Sequence, residues 1–154
     1  MDYIHRMRAR IGHDRLLVVG AGVLVHQNGQ LLLQKRRDNG CWADHGGCLE
    51  PGETCEQTAR RELLEETGLV AHALTLIGVF SGEDLLHTYP NGDQVAIVQV
   101  MYLCEDCSGD LVLQQEEVAE LAWFPVDALP ENISPPSRQA VKACVAFLNN
   151  RNNK

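Results

Sequence analysis

Between residues 38 and 53 the chain places Gly40, Gly46, Gly47, Pro51 and Gly52. That density rules out a helix through the segment and suits a loop that bends sharply or brings its backbone close to a ligand. A helix start follows at once. Thr54-Cys55-Glu56-Gln57 matches a capping box, in which the threonine hydroxyl and the Gln57 side chain satisfy each other's backbone N–H groups. Gly68 stands where a left-handed C-terminal cap is expected, so the spacing predicts a helix over 55–67.

Strand patterns lie on both sides of this loop and helix. Leu16 to Val25 is apolar and β-branched, and Asn28-Gly29 supplies a hairpin turn before a second strand from Leu31 to Lys35. Ala73 to Phe80 and Val95 to Leu103 read as further strands, separated by the polar stretch Ser81 to Asp93 with its Pro90-Asn91-Gly92 turn. Leu111 to Leu113 and Leu121 to Phe124 read as short edge strands. Val141, Cys144, Val145 and Leu148 fall at i, i+3, i+4 and i+7, the apolar stripe of a docking helix. The order implies an α+β fold, layered helix–sheet–helix, in one domain spanning 1–154.

Composition excludes several functions. The net charge of −8 argues against holding a nucleic-acid polymer by bulk electrostatics. No apolar run reaches the roughly 20 residues that span a bilayer, and the start of the chain lacks a signal-peptide core, so a cytoplasmic location without membrane contact is expected. The six cysteines then read as reduced thiols. Cys104 and Cys107 form a lone C-x-x-C, half of a zinc site at most, and the turn at Ser108-Gly109-Asp110 makes them a strand end running into a hairpin.

An acidic protein can still bind a phosphate ester if divalent cations sit between the two sets of negative charge. The segment Arg61-Glu62-Leu63-Leu64-Glu65-Glu66-Thr67-Gly68 carries the acidic groups for that role. At about 100° per residue, Glu62, Glu65 and Glu66 share an arc of roughly 100° near the C-terminal end of the helix. Like charges at i, i+4 cost about 0.2–0.5 kcal/mol and acidic groups there oppose the helix dipole, so something should offset them. A hard cation such as Mg²⁺ or Mn²⁺ would do so. The competing reading is a solvated acidic face with Arg61 paired to Glu65.

Gly47, Glu53, Arg61, Glu62, Leu63, Glu65, Glu66, Gly68 and Leu69 fill every fixed position of G-x5-E-x7-R-E-U-x-E-E-x-G-U, U being aliphatic. This resembles the Nudix (MutT-like) hydrolase family, and Leu31 to Arg36, Trp123-Phe124-Pro125 and Leu129-Pro130 are similar to it as well. The resemblance implies an α/β/α sandwich with a mixed central sheet, a catalytic loop-helix and a C-terminal helix. It implies a Mg²⁺-dependent pyrophosphatase, with Mn²⁺ as an alternative metal, acting on a small nucleotide. Glu65 and Glu66 would ligate the metal, joined by the Gly46 carbonyl, and Glu62 would be a ligand or the base. Glu53 would support the site and Arg61 would orient the carboxylates. A further acidic residue is expected from Gln114-Gln115-Glu116-Glu117, through Glu116 or Glu117, against a plain solvent-exposed loop. Where many relatives have Trp-x-Leu-Pro, this chain has Trp42-Ala43-Asp44-His45, so His45 is a candidate to touch a phosphate or a water beside the metal, or else is structural.

On the substrate side, alternation lets only one of Lys35 and Arg36 point inward, and Arg36 matches the family's strand-end arginine. Trp42, Phe80, His87 and Tyr89 are the aromatic candidates for stacking, with Ser81 to Asp93 as the selectivity element. A nucleoside triphosphate and a nucleotide sugar such as ADP-ribose both remain open. An isoprenoid diphosphate isomerase of the same fold and a non-catalytic nucleotide sensor are the alternatives; the intact box favours hydrolysis. A homodimer is compatible with the sequence, which fixes no oligomeric state.

Overall fold

The computed structural model describes residues 2–114 and 116–152. In chain order it contains α1 (Tyr3–Ile11), β1 (Leu16–Gln27), β2 (Gln30–Arg36), β3 (Trp42–Ala43), β4 (His45–Cys48), α2 (Cys55–Thr67), β5 (Val70–Phe80), a 3-10 turn (Glu83–Leu85), β6 (Leu86–Thr88), β7 (Gln94–Ser108), β8 (Val118–Pro125) and α3 (Pro135–Asn152). The strands form one eight-stranded mixed sheet along the path β3-β2-β1-β7-β5, with β4 on β1, β6 on β7 and β8 on β2. Among the paired strands of the described residues, β1 and β7 alone run parallel, in register from Leu16 opposite Val95 to Val25 opposite Cys104.

Alternation divides the apolar residues between two faces. Ala21, Val23, Val25, Leu32, Val100 and Tyr102 pack with Ala59 and Leu63 of α2. Leu24, Leu31, Leu33, Met101 and Leu103 pack with Ala140, Val141, Cys144 and Leu148 of α3. The sheet is therefore the middle layer of an α/β/α sandwich, as the sequence pattern implied. Among the described residues no helix is long and apolar enough to cross a membrane.

Local chemistry sets the landmarks that matter for the site. Asn28 and Gly29 both take positive φ, 53° and 74°, the geometry of a type I′ hairpin turn. In α2 the Thr54 hydroxyl accepts from Gln57 N at 3.1 Å while Gln57 Oε1 accepts from Thr54 N at 2.9 Å. Gly68 closes the helix at φ 81°.

The structure corrects four expectations. The segment 38–53 holds two short strands: β3 pairs with the end of β2, and β4 pairs with β1, where Gly20 and Gly22 let Cys48 and Gly46 approach closely. Leu111 to Leu113 form no strand; the segment crosses the end of α2, where Val112 N donates to Thr67 O at 2.8 Å. The turn at Gly109 likewise leads to that crossing instead of a hairpin, while Cys104 and Cys107 sit within β7, which pairs with β5. Finally, α1 was not foreseen. It is capped by Asp2, whose carboxylate accepts from His5 N at 2.8 Å, and no residue in it is buried.

Candidate active site

A cleft of about 820 Å³ opens between α2, β4, the end of β2, the start of α1 and the side chains of Gln114, Glu116 and Glu117. Glu62, Glu65 and Glu66 all line it, as do Gly46 and Gly47. The three carboxylates thus share one side of α2, but their surroundings differ.

Glu66 is only 8% exposed. Its Oε2 accepts from Gln34 Nε2 at 2.7 Å and from Gly46 N at 3.0 Å, both neutral donors. Burial, with repulsion from Glu62, raises its pKa well above the ordinary carboxylate value. Glu62 is also raised by burial, opposed by the neighbouring Arg61, whose Nη1 donates to its Oε1 at 2.7 Å. A Cβ on Gly47 would collide with the Glu62 carboxylate, so the loop needs glycine there for this side chain to lie against it. Glu65 is the most exposed of the three, with Oε2 at 3.6 Å from Arg61.

Arg61 is held in place by Glu53. The guanidinium donates from Nε to Oε2 at 2.9 Å and from Nη2 to Oε1 at 3.0 Å, a bidentate pair. Glu53 also accepts from Glu50 N and from the Thr58 hydroxyl, and these bonds, Arg61 foremost, hold its pKa down at about 2. Glu53 itself does not line the cleft. It positions Arg61, which positions Glu62.

His45 takes no part in the cleft wall. It is fully buried, so it has no access to a phosphate or to water in the cleft. Its Nε2 lies 3.0 Å from Leu32 O and its Nδ1 3.0 Å from Gln34 Nε2. The pattern fits a neutral ring that donates to the carbonyl and accepts from the amide, and burial lowers its pKa to about 4. The Gln34 amide then spans His45 and Glu66. A buried chain, Leu32 O to His45 to Gln34 to Glu66, therefore fixes the most enclosed carboxylate of the site.

Trp42 is likewise a core side chain and not a stacking surface. Strand alternation turns it to the α3 face, where it is 8% exposed and meets Phe124 edge-on at 4.8 Å. Lys35 shares that face, its ammonium 6.0 Å from the Trp42 ring centre. Phe80 packs against the same core. Arg36 points the other way, with Leu32 and Gln34, and lines the cleft while pairing bidentately with Asp38 at 2.9 and 2.8 Å. Tyr89 reaches the cleft, its ring edge-on to His87 at 4.7 Å. Glu116 and Glu117 stand on the rim, while Gln115 lies outside the described residues.

Sequence reasoning missed Gln34, Asp38 and the Asp2–Ile4 end of α1, all at or beside the site. Gln34 left a signal: a polar residue in phase with Leu32, on the buried face of β2. Among the described residues no three His, Cys, Asp or Glu side chains are already gathered around an ion-sized point. The three carboxylates of α2 that face the cleft nonetheless offer oxygen donors, and two of them are enclosed beside each other, which suits a hard divalent cation.

Comparison with known proteins agrees with this geometry. Residues 16–144 match the NUDIX domain family. The chain is 33% identical over 111 residues to the ADP-ribose pyrophosphatase of Methanocaldococcus jannaschii, covering 70% of this chain and 62% of that protein. It is 35% identical over 111 residues to the oxidized purine nucleoside triphosphate hydrolase of Danio rerio, covering 70% and 66%. It thus spans a little under two thirds of the length of either relative. A solved structure of a MutT NUDIX hydrolase from Burkholderia pseudomallei aligns with a TM-score of 0.72 at 30% identity, over 83% of this chain and 98% of that one. With the family match running from the first strand into the last helix, and the box intact on the loop and helix that line the cleft, the chain belongs to the NUDIX family.

Proposed function

We propose that the chain, acting as one domain, is a Mg²⁺-dependent pyrophosphohydrolase that cleaves the diphosphate link of a nucleoside triphosphate or a nucleotide sugar. The observation that carries this reading is Glu66: a carboxylate enclosed beside Glu62, bonded only through neutral donors, at the floor of an open cleft. Glu62, Glu65 and Glu66, with the Gly46 carbonyl, would hold the metal. When bound, Mg²⁺ would offset the negative charge of these groups and of the diphosphate, and lower the pKa of a nearby water. Mn²⁺ has the same preference for oxygen donors.

The chain's own residues supply the rest. Arg36 at the cleft edge is placed to hold a phosphate, provided it gives up part of its pairing with Asp38. Water attacks one phosphorus, its oxygen forming the new P–O bond as the bridging P–O bond breaks and the second phosphate departs. The proton passes to a carboxylate: Glu62, or Glu116 or Glu117 on the rim. Relatives of similar identity are named for different substrates, an ADP-ribose and an oxidised purine triphosphate, so the class is proposed and not the compound.

The test is product analysis by phosphorus NMR and chromatography over a panel of nucleoside triphosphates, nucleotide sugars and isoprenoid diphosphates with Mg²⁺. Two phosphorylated products from a nucleotide support the reading. A rearranged but intact isoprenoid diphosphate makes the chain an isomerase, and tight binding without products makes it a sensor; either outcome overturns it.

A further inference from the structure

Beside the cleft lies a smaller pocket of about 110 Å³ that shares Arg36, Gly46, Gly47, Cys48 and Tyr89 with it, so the two are continuous. At about 30 Å³ per water in the liquid, it has room for one flat ring system and not for a whole nucleotide. Asp44, Gln99 and Ser137 form its polar floor. The Ser137 hydroxyl donates to Asp44 Oδ1 at 2.5 Å, and Gln99 Nε2 donates, at a long 3.4 Å, to Asp44 Oδ2.

Those bonds use donors of the floor against its own carboxylate. Lone pairs of Asp44 and Gln99 Oε1 remain, so the floor is rich in acceptors. β1 is cut away beneath it. A Cβ on Gly22 would come within 2.5 Å of Asp44 Oδ2 and 2.9 Å of Gln99 Nε2, and one on Gly20 within 2.9 Å of Gln99 Oε1. Both side chains lie over β1 only because these two positions are glycine. Tyr89, His87 and Pro136 complete the wall.

We propose that this pocket receives the nucleobase of the substrate and selects bases carrying an amino group, with Asp44 accepting from that amine. The inference rests on the pyrophosphohydrolase reading and names the part of the substrate held away from the diphosphate. A base with an oxo group in place of the amine would set lone pairs against lone pairs, a mismatch that a built hydrogen-bonding site rejects.

The test compares nucleotides that differ in one amine: CTP with UTP, and ATP and GTP with ITP. In the wild-type chain kcat/KM should favour each amino-bearing partner by about tenfold or more. Asp44→Asn, which puts donors where acceptors stood, should bring the ratio towards one or invert it. Ser137→Ala, which frees Asp44 to turn, should narrow it. Melting curves establish that each variant is folded; should Asp44→Asn fail to fold, the wild-type ratios and Ser137→Ala decide. Ratios within about twofold in the wild type, or unchanged in a folded variant, would overturn the proposal.

If no nucleotide is cleaved, the hydrolase reading fails separately. Equilibrium binding of CMP against UMP and AMP against IMP to the metal-free protein then decides the pocket. Tighter binding of CMP and AMP, lost in Asp44→Asn, supports it, whereas equal affinity or no binding overturns it. Ribose 5-phosphate displacing AMP at equal concentration would mean that sugar hydroxyls, not base amines, are the donors read, and would also overturn it.

Discussion

Replacing Glu66 by glutamine separates what the site does for stability from what it does for function. The side chain is enclosed, and the glutamine carbonyl can still accept from Gln34 and Gly46. Hydrogen bonds to a charged group contribute about 1.5–3 kcal/mol and neutral ones about 0.5–1.5, so the two bonds weaken by roughly 2 kcal/mol together. Against this stands the penalty of an enclosed charge, several kcal/mol per ion, with Glu62 adding repulsion. The difference favours the neutral side chain. In metal-free protein at pH 8, Glu66→Gln should gain about 1 kcal/mol, a rise of roughly 2–4 °C in Tm for a chain of this length.

The pH dependence carries the same sign. In the folded chain Glu66 keeps its proton to higher pH than the unfolded value of 4.5. Metal-free wild-type protein should therefore lose stability as pH rises from 4.5 through the folded pKa, and the variant should lose less. Added Mg²⁺ should reverse the ranking, because only the wild type binds it well, gaining about 2.7 kcal/mol at a hundredfold excess over Kd. Turnover in the variant should fall by about a hundredfold or more. Melting by differential scanning fluorimetry over pH 5–8, with and without Mg²⁺, reads the first part, and phosphate release reads the second. A variant that melts below the wild type without metal, or turns over within about twofold of it, would refute the reasoning.

Other perturbations follow from the same contacts. Gly47→Ala should displace the Glu62 carboxylate and lower kcat by about tenfold or more with the fold retained, measured by steady-state kinetics alongside a melting curve. Glu53 is depressed to about 2, so the stability it contributes through Arg61 is present above pH 4.5 and lost as pH falls towards 2; the Tm gap between wild type and Glu53→Gln should close over that range. Trp42→Ala should cost about 3–5 kcal/mol in urea denaturation by emptying the core beside Phe124, while leaving the ranking of substrates unchanged.

How far the sequence reaches depends on whether a feature is local. The β1–β2 hairpin was legible because Asn28 and Gly29 are the residues that tolerate the two positive φ values the turn requires. The bounds of α2 were legible because capping box and glycine stop are short-range devices, and both are present as expected. The strand pairs β1–β4 and β5–β7 join distant segments, so β4 escaped notice and β5 starts earlier than its apolar run suggested. In α1, Tyr3, Ile4, Met7 and Ile11 share one side, but the stripe is short and none of these residues is buried, so it marks no core-facing helix.

At the site, the spacing of Glu62, Glu65 and Glu66 put three carboxylates on one side of a helix, and the cleft contains them. Residue type misled where burial decides. Trp42 and His45 looked like groups for a ligand, yet tertiary packing encloses both, one in the α3-side core and the other beneath Glu66. The role of Gln34 depends on His45 from another strand and Glu66 from a helix, a meeting that no window of sequence contains.

A crystal structure with Mg²⁺ and a non-hydrolysable nucleotide bears most directly on the claim that the α2 carboxylates gather cations around a diphosphate. Density for at least one ion, within about 2.0–2.1 Å of oxygens from Glu62, Glu65 or Glu66 and touching the phosphates, is the expected result. Phosphates bound elsewhere, with Glu66 still bonded only to Gln34 and Gly46 and Glu62 to Arg61, would contradict it.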